Sequence, residues 1–481
     1  MVKKIGSYGI VLAFLLPLLF INIKNSHDWG DDFAQYIHQA QNILIGESQN
    51  NTGYIYNEAC FIGPKAYPAG FPLILAIYSK ISDDNLMSLN RLISFFWMLS
   101  CFVGFLFIRK RSSYITALMA TLIIAYNPMM LDFKTNILSD LPFAFFSLLS
   151  LYLIDKEEKI WLAVLTGCVI AFTAHIRSIG LILVGVLIIY KLFHTRKTLN
   201  SNPYKFLIMS LASFLVLYIG MKLVFPCDTN YPELFTSEGI WANLNKQTSY
   251  NIDWLDNFLD SYEIKNYYYI TVIASSSLIA FSFIGLIKFW KTERTSPIFI
   301  YTLLYVLILI SFPYGDAGLR FLFPILTLIF LFSIEGMKIS FSALQMRGNI
   351  LAVLFGALIL FSYHEKIENI LENTKSIVEG PQKPEVQKMF EYMNQNLEPG
   401  TIVGFDKPRA LALYTNMRSV VINTQQEKAD IKKEVDKFKI QFMLIDDIFT
   451  DQKIKDFVNS DNSYSMLIYS VNELRLYKLN P

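Results

Sequence analysis

Eleven apolar stretches, most near the ~17–25 residues that carry a helix across a bilayer, occupy much of the first three quarters of this 481-residue chain. They lie at 8–23, 87–108, 113–131, 138–154, 160–176, 179–193, 205–224, 267–289, 297–313, 320–336 and 348–363. Backbone in lipid must satisfy its own hydrogen bonds, and a helix does so within one segment. The pattern therefore predicts a polytopic α-helical membrane protein with about 11 transmembrane helices. Charge divides the chain. Residues 366–481 are roughly 28% charged and residues 1–365 roughly 13%, against about 25% for an ordinary soluble protein. The expected domains are thus a membrane domain, 1–365, and a soluble one, 366–481. A wholly soluble enzyme is excluded, because so long an apolar segment exceeds what one core can hide. A formal net charge of +2 supplies no basic field and argues against nucleic acid as a partner.

Orientation follows from the short loops. Lys3/Lys4, Arg109-Lys110-Arg111, Lys156/Lys159, Arg196/Lys197, Lys288/Lys291/Arg294 and Lys338/Arg347 all fall on one side when the spans alternate. Lys and Arg accumulate in cytoplasmic loops, so the N-terminus is expected in the cytoplasm. Segments 24–86 and 226–266 and the whole C-terminal domain are then extracytoplasmic, and the protein is a multi-pass protein of the cytoplasmic membrane. No small-residue cleavage site follows the first stretch, so it reads as a retained helix rather than a signal peptide.

The C-terminal domain reads as α/β. Val386, Met389, Phe390, Met393 and Leu397 repeat at helical spacing, and Pro399-Gly400 ends that helix. Strands are expected at Thr401–Phe405, Gln441–Ile445, Tyr464–Tyr469 and Leu474–Leu479, with a charged helix at Glu427–Lys439. No phosphate loop or nucleophile motif occurs there, so the domain is expected to be non-catalytic. The four cysteines form no CxxC pair; Cys60 and Cys227 share the outer side without a pattern that requires them to bond.

Chemistry concentrates in the first outer loop. From Asp32 onward, Phe33, Tyr36/Ile37, Ala40 and Ile43/Leu44 form one apolar stripe, and Gly46 is a natural stop. A helix along the membrane surface is expected, with Asp31 and Asp32 at its N-terminus. Two uses fit that pair: capping the helix and complementing its dipole, or acid–base chemistry. A rigid turn, Gly63-Pro64-Lys65-Ala66-Tyr67-Pro68, leads into a second surface stretch. Asp140, Arg177 and Arg320 fall at the same membrane face. Carboxylates and cations thus gather at one side while span interiors are nearly uncharged.

The segment Gly30-Asp31-Asp32-x-x-x-Tyr36-x-x-x-Ala40, together with Tyr67-Pro68-Ala69-Gly70-Phe71-Pro72, resembles the first outer loop of the GT-C glycosyltransferases. The closest type is the bacterial one related to protein O-mannosyltransferases and lipid A aminoarabinose transferase. The resemblance continues through Asn127-Pro128, Leu138-Ser139-Asp140-Leu141-Pro142, Leu319-Arg320-Phe321-Leu322-Phe323-Pro324 and the tail segment Gly404-Phe405-Asp406-Lys407-Pro408-Arg409 to Thr415. It implies an inverting, mannosyltransferase-like enzyme that moves a sugar from a polyprenyl-phosphate carrier to an extracytoplasmic acceptor. It implies Asp32 as the catalytic carboxylate with Asp31 beside it, and Asp140 as a second acidic position. A departing phosphate needs fixed cations, for which Arg320, Lys65 and Arg177 are the candidates. Tyr36 and Tyr67 are candidate substrate-binding residues. Some relatives use a divalent metal, but His27, His38 and His175 are scattered and compose no ligand set. The rival class, a transporter or lipid-linked sugar flippase, would show internal repeats, broken helices and polar residues at mid-membrane depth; no repeat is found, and the charges sit at one face.

Overall fold

The computed structural model describes residues 2–60, 62–83, 85–156, 159–194, 203–229, 258–259, 268–311, 318–343, 348–424, 428–460 and 464–480. Each of the eleven apolar stretches falls wholly or largely on helix. In chain order the helices are α1 (Val2–Leu15), α2 (Asp32–Ile45), α3 (Gly70–Ser79), α4 (Leu86–Arg109), α5 (Tyr114–Ala125) and α6 (Pro128–Phe133). There follow α7 (Asp140–Ile154), α8 (Ile160–Ile176), α9 (Ile182–His194), α10 (Pro203–Val224), α11 (Tyr268–Thr292) and α12 (Pro297–Ser311). The bundle closes with α13 (Phe323–Ala343) and α14 (Gly348–Ser362). Four of its apolar helices, Leu86–Arg109, Tyr204–Val224, Val272–Thr292 and Gly318–Ser342, are long enough to cross a membrane unaided. Shorter apolar helices of 10–17 residues, from Ser7–Leu19 to Pro297–Ser311, accompany them. The chain is a helical multi-pass membrane protein.

One expected span is divided. The stretch 113–131 breaks into α5 and α6 at Asn127-Pro128. Proline there disfavours helical backbone in the preceding residue, and the Asn127 carboxamide accepts from the Met129 and Met130 N–H groups at 3.0 and 3.4 Å. A new helix starts where the old one would have continued. The basic loops meet at the end of the bundle remote from α2. Arg111 binds Glu293 through both guanidinium nitrogens at 2.7 and 2.6 Å. Lys338 reaches Glu335 at 2.5 Å and the Arg111 carbonyl at 2.6 Å, and Lys288 joins Glu335 from α11. Arg196, Lys197, Arg347, residues 312–317 and most of the 226–266 loop lie outside the described residues.

After α15 (His364–Glu372), the C-terminal segment forms a mixed sheet. Its helices are α16 (Pro384–Asn396), α17 (Pro408–Tyr414), α18 (Lys428–Phe438) and α19 (Gln452–Asn459). Its strands are β1 (Ile402–Gly404), β2 (Arg418–Val420), β3 (Phe442–Asp446), β4 (Ser465–Val471) and β5 (Leu474–Leu479), in the order β2-β1-β3-β5-β4. β1 is parallel to β2 and β3, whereas β5 runs antiparallel to β3 and β4. Four strands fall where the apolar runs predict them, and the charged helix expected at 427–439 is Lys428–Phe438. β2, α17 and α19 were not foreseen, because each is too short to declare a period.

The first loop and the tail are built into one another. Tyr54 bridges Ser419 at the open edge of β2, with Ile55 N–H on the Ser419 carbonyl at 2.8 Å and Ser419 N–H on the Gly53 carbonyl at 3.0 Å. The loop thereby covers a sheet edge that would otherwise present unpaired backbone. Trp29 wedges against Phe405 and Phe449, and α2 packs between α3 and α17. The apolar stripe of α2 is accordingly buried by protein.

Candidate functional site

Asp31 and Asp32 sit side by side at the start of α2 and have separate fates. Asp31 takes a positive φ of 61° and makes no side-chain hydrogen bond to its own helix. Its Oδ1 instead accepts the N–H groups of Arg409 and Ala410, at 3.1 and 2.9 Å. Those are the second and third residues of α17, whose own flanking Lys407 provides no cap. Asp31 thus caps a helix of the tail from 378 residues away. Burial pushes its carboxyl up from the ordinary 3.8 to about 6, against the pull of the Arg409 guanidinium. Because that value is raised, the folded protein holds a proton here that the unfolded chain releases between about pH 4 and 6. The stability contributed by this group is full below pH 4 and lost as pH rises through 6. Asp31→Asn keeps the acceptor oxygen, so this variant is expected to lose that part of the pH dependence in thermal unfolding, with turnover affected less than by the same change at Asp32.

Asp32 faces the other way, with 19% of its side chain exposed. Its Oδ1 accepts the Tyr67 hydroxyl at 2.6 Å and Arg409 Nη1 at 2.9 Å. Its Oδ2 has only Arg320 Nη1, at 3.4 Å, among the described residues. One oxygen is pinned and the other is open. Tyr67 stacks on Tyr36, with ring centroids 4.4 Å apart, and the Tyr36 hydroxyl meets Ser139 Oγ at 3.0 Å. Ser139 precedes Asp140, whose buried carboxylate is paired with Arg177. Arg177 and Arg320 both lie over the Phe321 ring, at 5.0 and 5.5 Å. Asp32, Tyr67, Tyr36, Asp140, Arg177 and Arg320 therefore form one connected cluster, drawn from five parts of the sequence.

Lys65 does not join it. Its ammonium lies 3.4 Å from Asp228, and both side chains are about half exposed. The turn that carries Lys65 contributes backbone instead: the Pro64 carbonyl accepts Arg409 Nη2 at 2.9 Å. Gly63, at φ 140°, makes room for this contact, since a Cβ there would stand 2.9 Å from both Arg409 Nη1 and the Tyr67 hydroxyl.

Arg409 is the residue that sequence reasoning missed. It is fully buried, though it comes from a domain with no catalytic motif. Its guanidinium touches Asp32, Tyr67 and Pro64 and lies 4.9 Å from the Tyr54 ring. A signal was present in Lys407-Pro408-Arg409, where proline starts a short helix and holds the arginine in its first turn.

The residues do not suit a divalent metal. Asp31, Asp32 and Asp140 are each already opposed by an arginine, and among the described residues no group of three or more His, Cys, Asp or Glu is placed to ligate an ion. His27 Nε2 accepts the Ile137 N–H at 3.0 Å, and His175 Nε2 donates to the Tyr218 carbonyl at 3.0 Å. Both histidines are engaged elsewhere. All four cysteines are free.

An apolar helical bundle with a loop helix and a C-terminal mixed sheet at one end is the fold of the GT-C lipid-phosphate-sugar glycosyltransferases. The chain is similar in structure to ArnT from Cupriavidus metallidurans bound to undecaprenyl phosphate, with a TM-score of 0.59 at 12% identity over 98% of each chain. It is also similar to the Archaeoglobus fulgidus oligosaccharyltransferase in complex with Zn and sulfate. There the TM-score is 0.59 at 13% identity, over 95% of this chain and 71% of that one. The archaeal oligosaccharyltransferase AglB from the same organism, in complex with an inhibitory peptide and a dolichol-phosphate, gives 0.56 at 11% identity over 99% of this chain. No family model and no curated protein matches the chain.

Proposed function

We propose that the chain is an inverting glycosyltransferase that moves a sugar from a polyprenyl-phosphate carrier to an acceptor hydroxyl on the extracytoplasmic side. The observation that carries this reading is the Asp32 carboxylate, pinned at Oδ1 and open at Oδ2, beside Arg320 at one end of an apolar bundle. A lipid carrier keeps its tail in the bilayer and its phosphate at the interface, where such a site can serve it. Asp32 Oδ2 takes the proton of the acceptor hydroxyl as that oxygen attacks the anomeric carbon. The bond from that carbon to the phosphate oxygen breaks, and the departing phosphate needs no proton. Arg320, with Arg177 behind it, meets the charge that gathers there.

Carboxylate supply favours inversion. A retaining double displacement needs a nucleophile as well as an acid–base group. Asp31 is buried under α17 and Asp140 is buried against Arg177, which leaves Asp32 as the most exposed acid of the three. Tyr67 then orients Asp32, and Tyr36 supports Tyr67 by stacking.

The same reading takes all eleven helical stretches as crossings, 1–365 as the membrane domain and 366–481 as an extracytoplasmic domain. Its support is the gathering of Arg111, Lys288 and Lys338 at the end opposite Asp32. Full-length protein in nanodiscs is expected to consume a polyprenyl-phosphate sugar from a donor panel and to ignore the matching nucleotide sugars. Turnover of a nucleotide sugar without lipid carrier would reject the donor class.

A further inference from the structure

A cleft of about 480 Å³ lies where the first loop, the start of α4 and the tail meet. Its volume is that of a small-molecule site. Its lining is unusual in kind: Asn25, Gln41, Asn85, Gln382 and Gln387 contribute five carboxamides, Tyr414 contributes a phenol, and no lining residue is charged. Between the amides, Ile37 and Leu413 give the cleft apolar wall.

The hydrogen-bond inventory decides what such a cleft can hold. Gln382 is fixed at both ends, accepting the His27 N–H at 2.8 Å and donating to the Tyr414 hydroxyl at 2.7 Å. That leaves the Tyr414 proton to be given. Asn85 accepts the Ser88 N–H at 2.8 Å through its carbonyl oxygen, so its NH2 is left over. Gln387 donates to the Pro381 carbonyl and keeps its own oxygen. The side chains of Asn25 and Gln41 make no hydrogen bond among the described residues. The cleft therefore offers donors and acceptors in mixture and no charge. Phosphates, carboxylates and ammonium groups would find no counter-charge in its lining. Hydroxyl groups, which donate and accept at once, match it, and Ile37 and Leu413 suit the C–H faces of a sugar ring.

Location gives the cleft a role. Gln41 is nine residues beyond Asp32 on α2, about 13 Å at the rise of a helix. Leu413 and Tyr414 end the helix that carries Arg409 in its first turn. The helix that carries Asp32 and the helix that carries Arg409 thus both reach the cleft. We infer that the cleft binds neutral saccharide units of the acceptor, so that this acceptor is a glycan or glycolipid whose sugars lie along α2 from the transfer point. The assignment to the acceptor rests on the transferase reading; the binding of neutral saccharide does not.

The test uses full-length protein in nanodiscs and saturation-transfer NMR with mannotetraose, maltotetraose, cellotetraose and chitotetraose, with tetragalacturonate as the acidic counterpart. At least one neutral tetrasaccharide is expected to bind. Affinity is expected to fall tenfold or more in Asn25→Ala/Gln41→Ala, which removes two amides, and in Gln41→Trp, which fills the cleft. Binding that persists in both variants, equal binding of tetragalacturonate, or no binding by any neutral member overturns the proposal. Displacement by a saturating polyprenyl-phosphate sugar would assign the saccharide to the donor and overturn the acceptor role. Asp32→Asn protein is expected to bind as the parent does, so failure of the transferase reading leaves this result distinct.

Discussion

Asp32→Asn is expected to lower turnover by about 10² to 10⁴, the usual contribution of a positioned general base. The substitution preserves shape. An asparagine Oδ1 still accepts from Tyr67 and Arg409, and Arg409 keeps the Asp31 carboxylate within 3.9 Å. Proton affinity and charge are removed from the open oxygen, and an NH2 takes its place beside Arg320. The variant is therefore expected to fold, insert and bind donor nearly as the parent does, with the loss confined to kcat. Size exclusion, thermal unfolding and donor KM distinguish that pattern from misfolding. Transfer at close to the parental rate would return Asp32 to the role of a charge that anchors Arg409. Asp31→Asn serves as the paired control, because that residue has the same chemistry but lies buried under α17.

The bundle was legible because its signal is long. Apolar runs of bilayer length name themselves, and the Lys and Arg flanks order them. α2 was legible to its ends, since an amphipathic stripe bounded by Asp31 and a left-handed Gly46 leaves little choice. The separate surroundings of the two acids were not. Adjacent residues on a helix start point in different directions, and which one meets water depends on what packs above them. Here that is α17, which no local pattern places over α2. The same gap hid Arg409. A lone arginine in a polar domain reads as surface, and its burial appears only when Gly63, Tyr54 and Tyr67 are assembled around it. Lys65 failed for the converse reason. It has suitable charge and neighbours in sequence, yet its long side chain leaves the turn toward Asp228 while the backbone of that turn faces the site.

Arg409 also makes the tail part of the candidate site, and its removal should reveal whether that part is structural or functional. Arg409→Ala leaves Asp31 buried without its counter-charge and Asp32 with one donor fewer on Oδ1. Breaking a buried pair in this way typically costs about 3–5 kcal/mol. The tail is expected to loosen, read as faster amide exchange in α17 and around Tyr54, and turnover is expected to collapse. Loss of fold alone would explain both effects, so a second variant is needed. Asp31→Asn/Arg409→Met removes charge and counter-charge together, keeps the carboxamide cap on α17 and fills the space. Neutral replacement of a buried ion pair is often neutral or stabilising, so thermal stability and exchange protection are expected to recover most of the loss. Turnover is not. Asp32 would retain only Tyr67 on Oδ1, free to swing toward Arg320 and away from the acceptor. A residual deficit of tenfold or more in kcat, with donor KM near the parental value, identifies Arg409 as a positioning residue for Asp32. Recovery of activity in step with stability would make it a clamp between domains and nothing further.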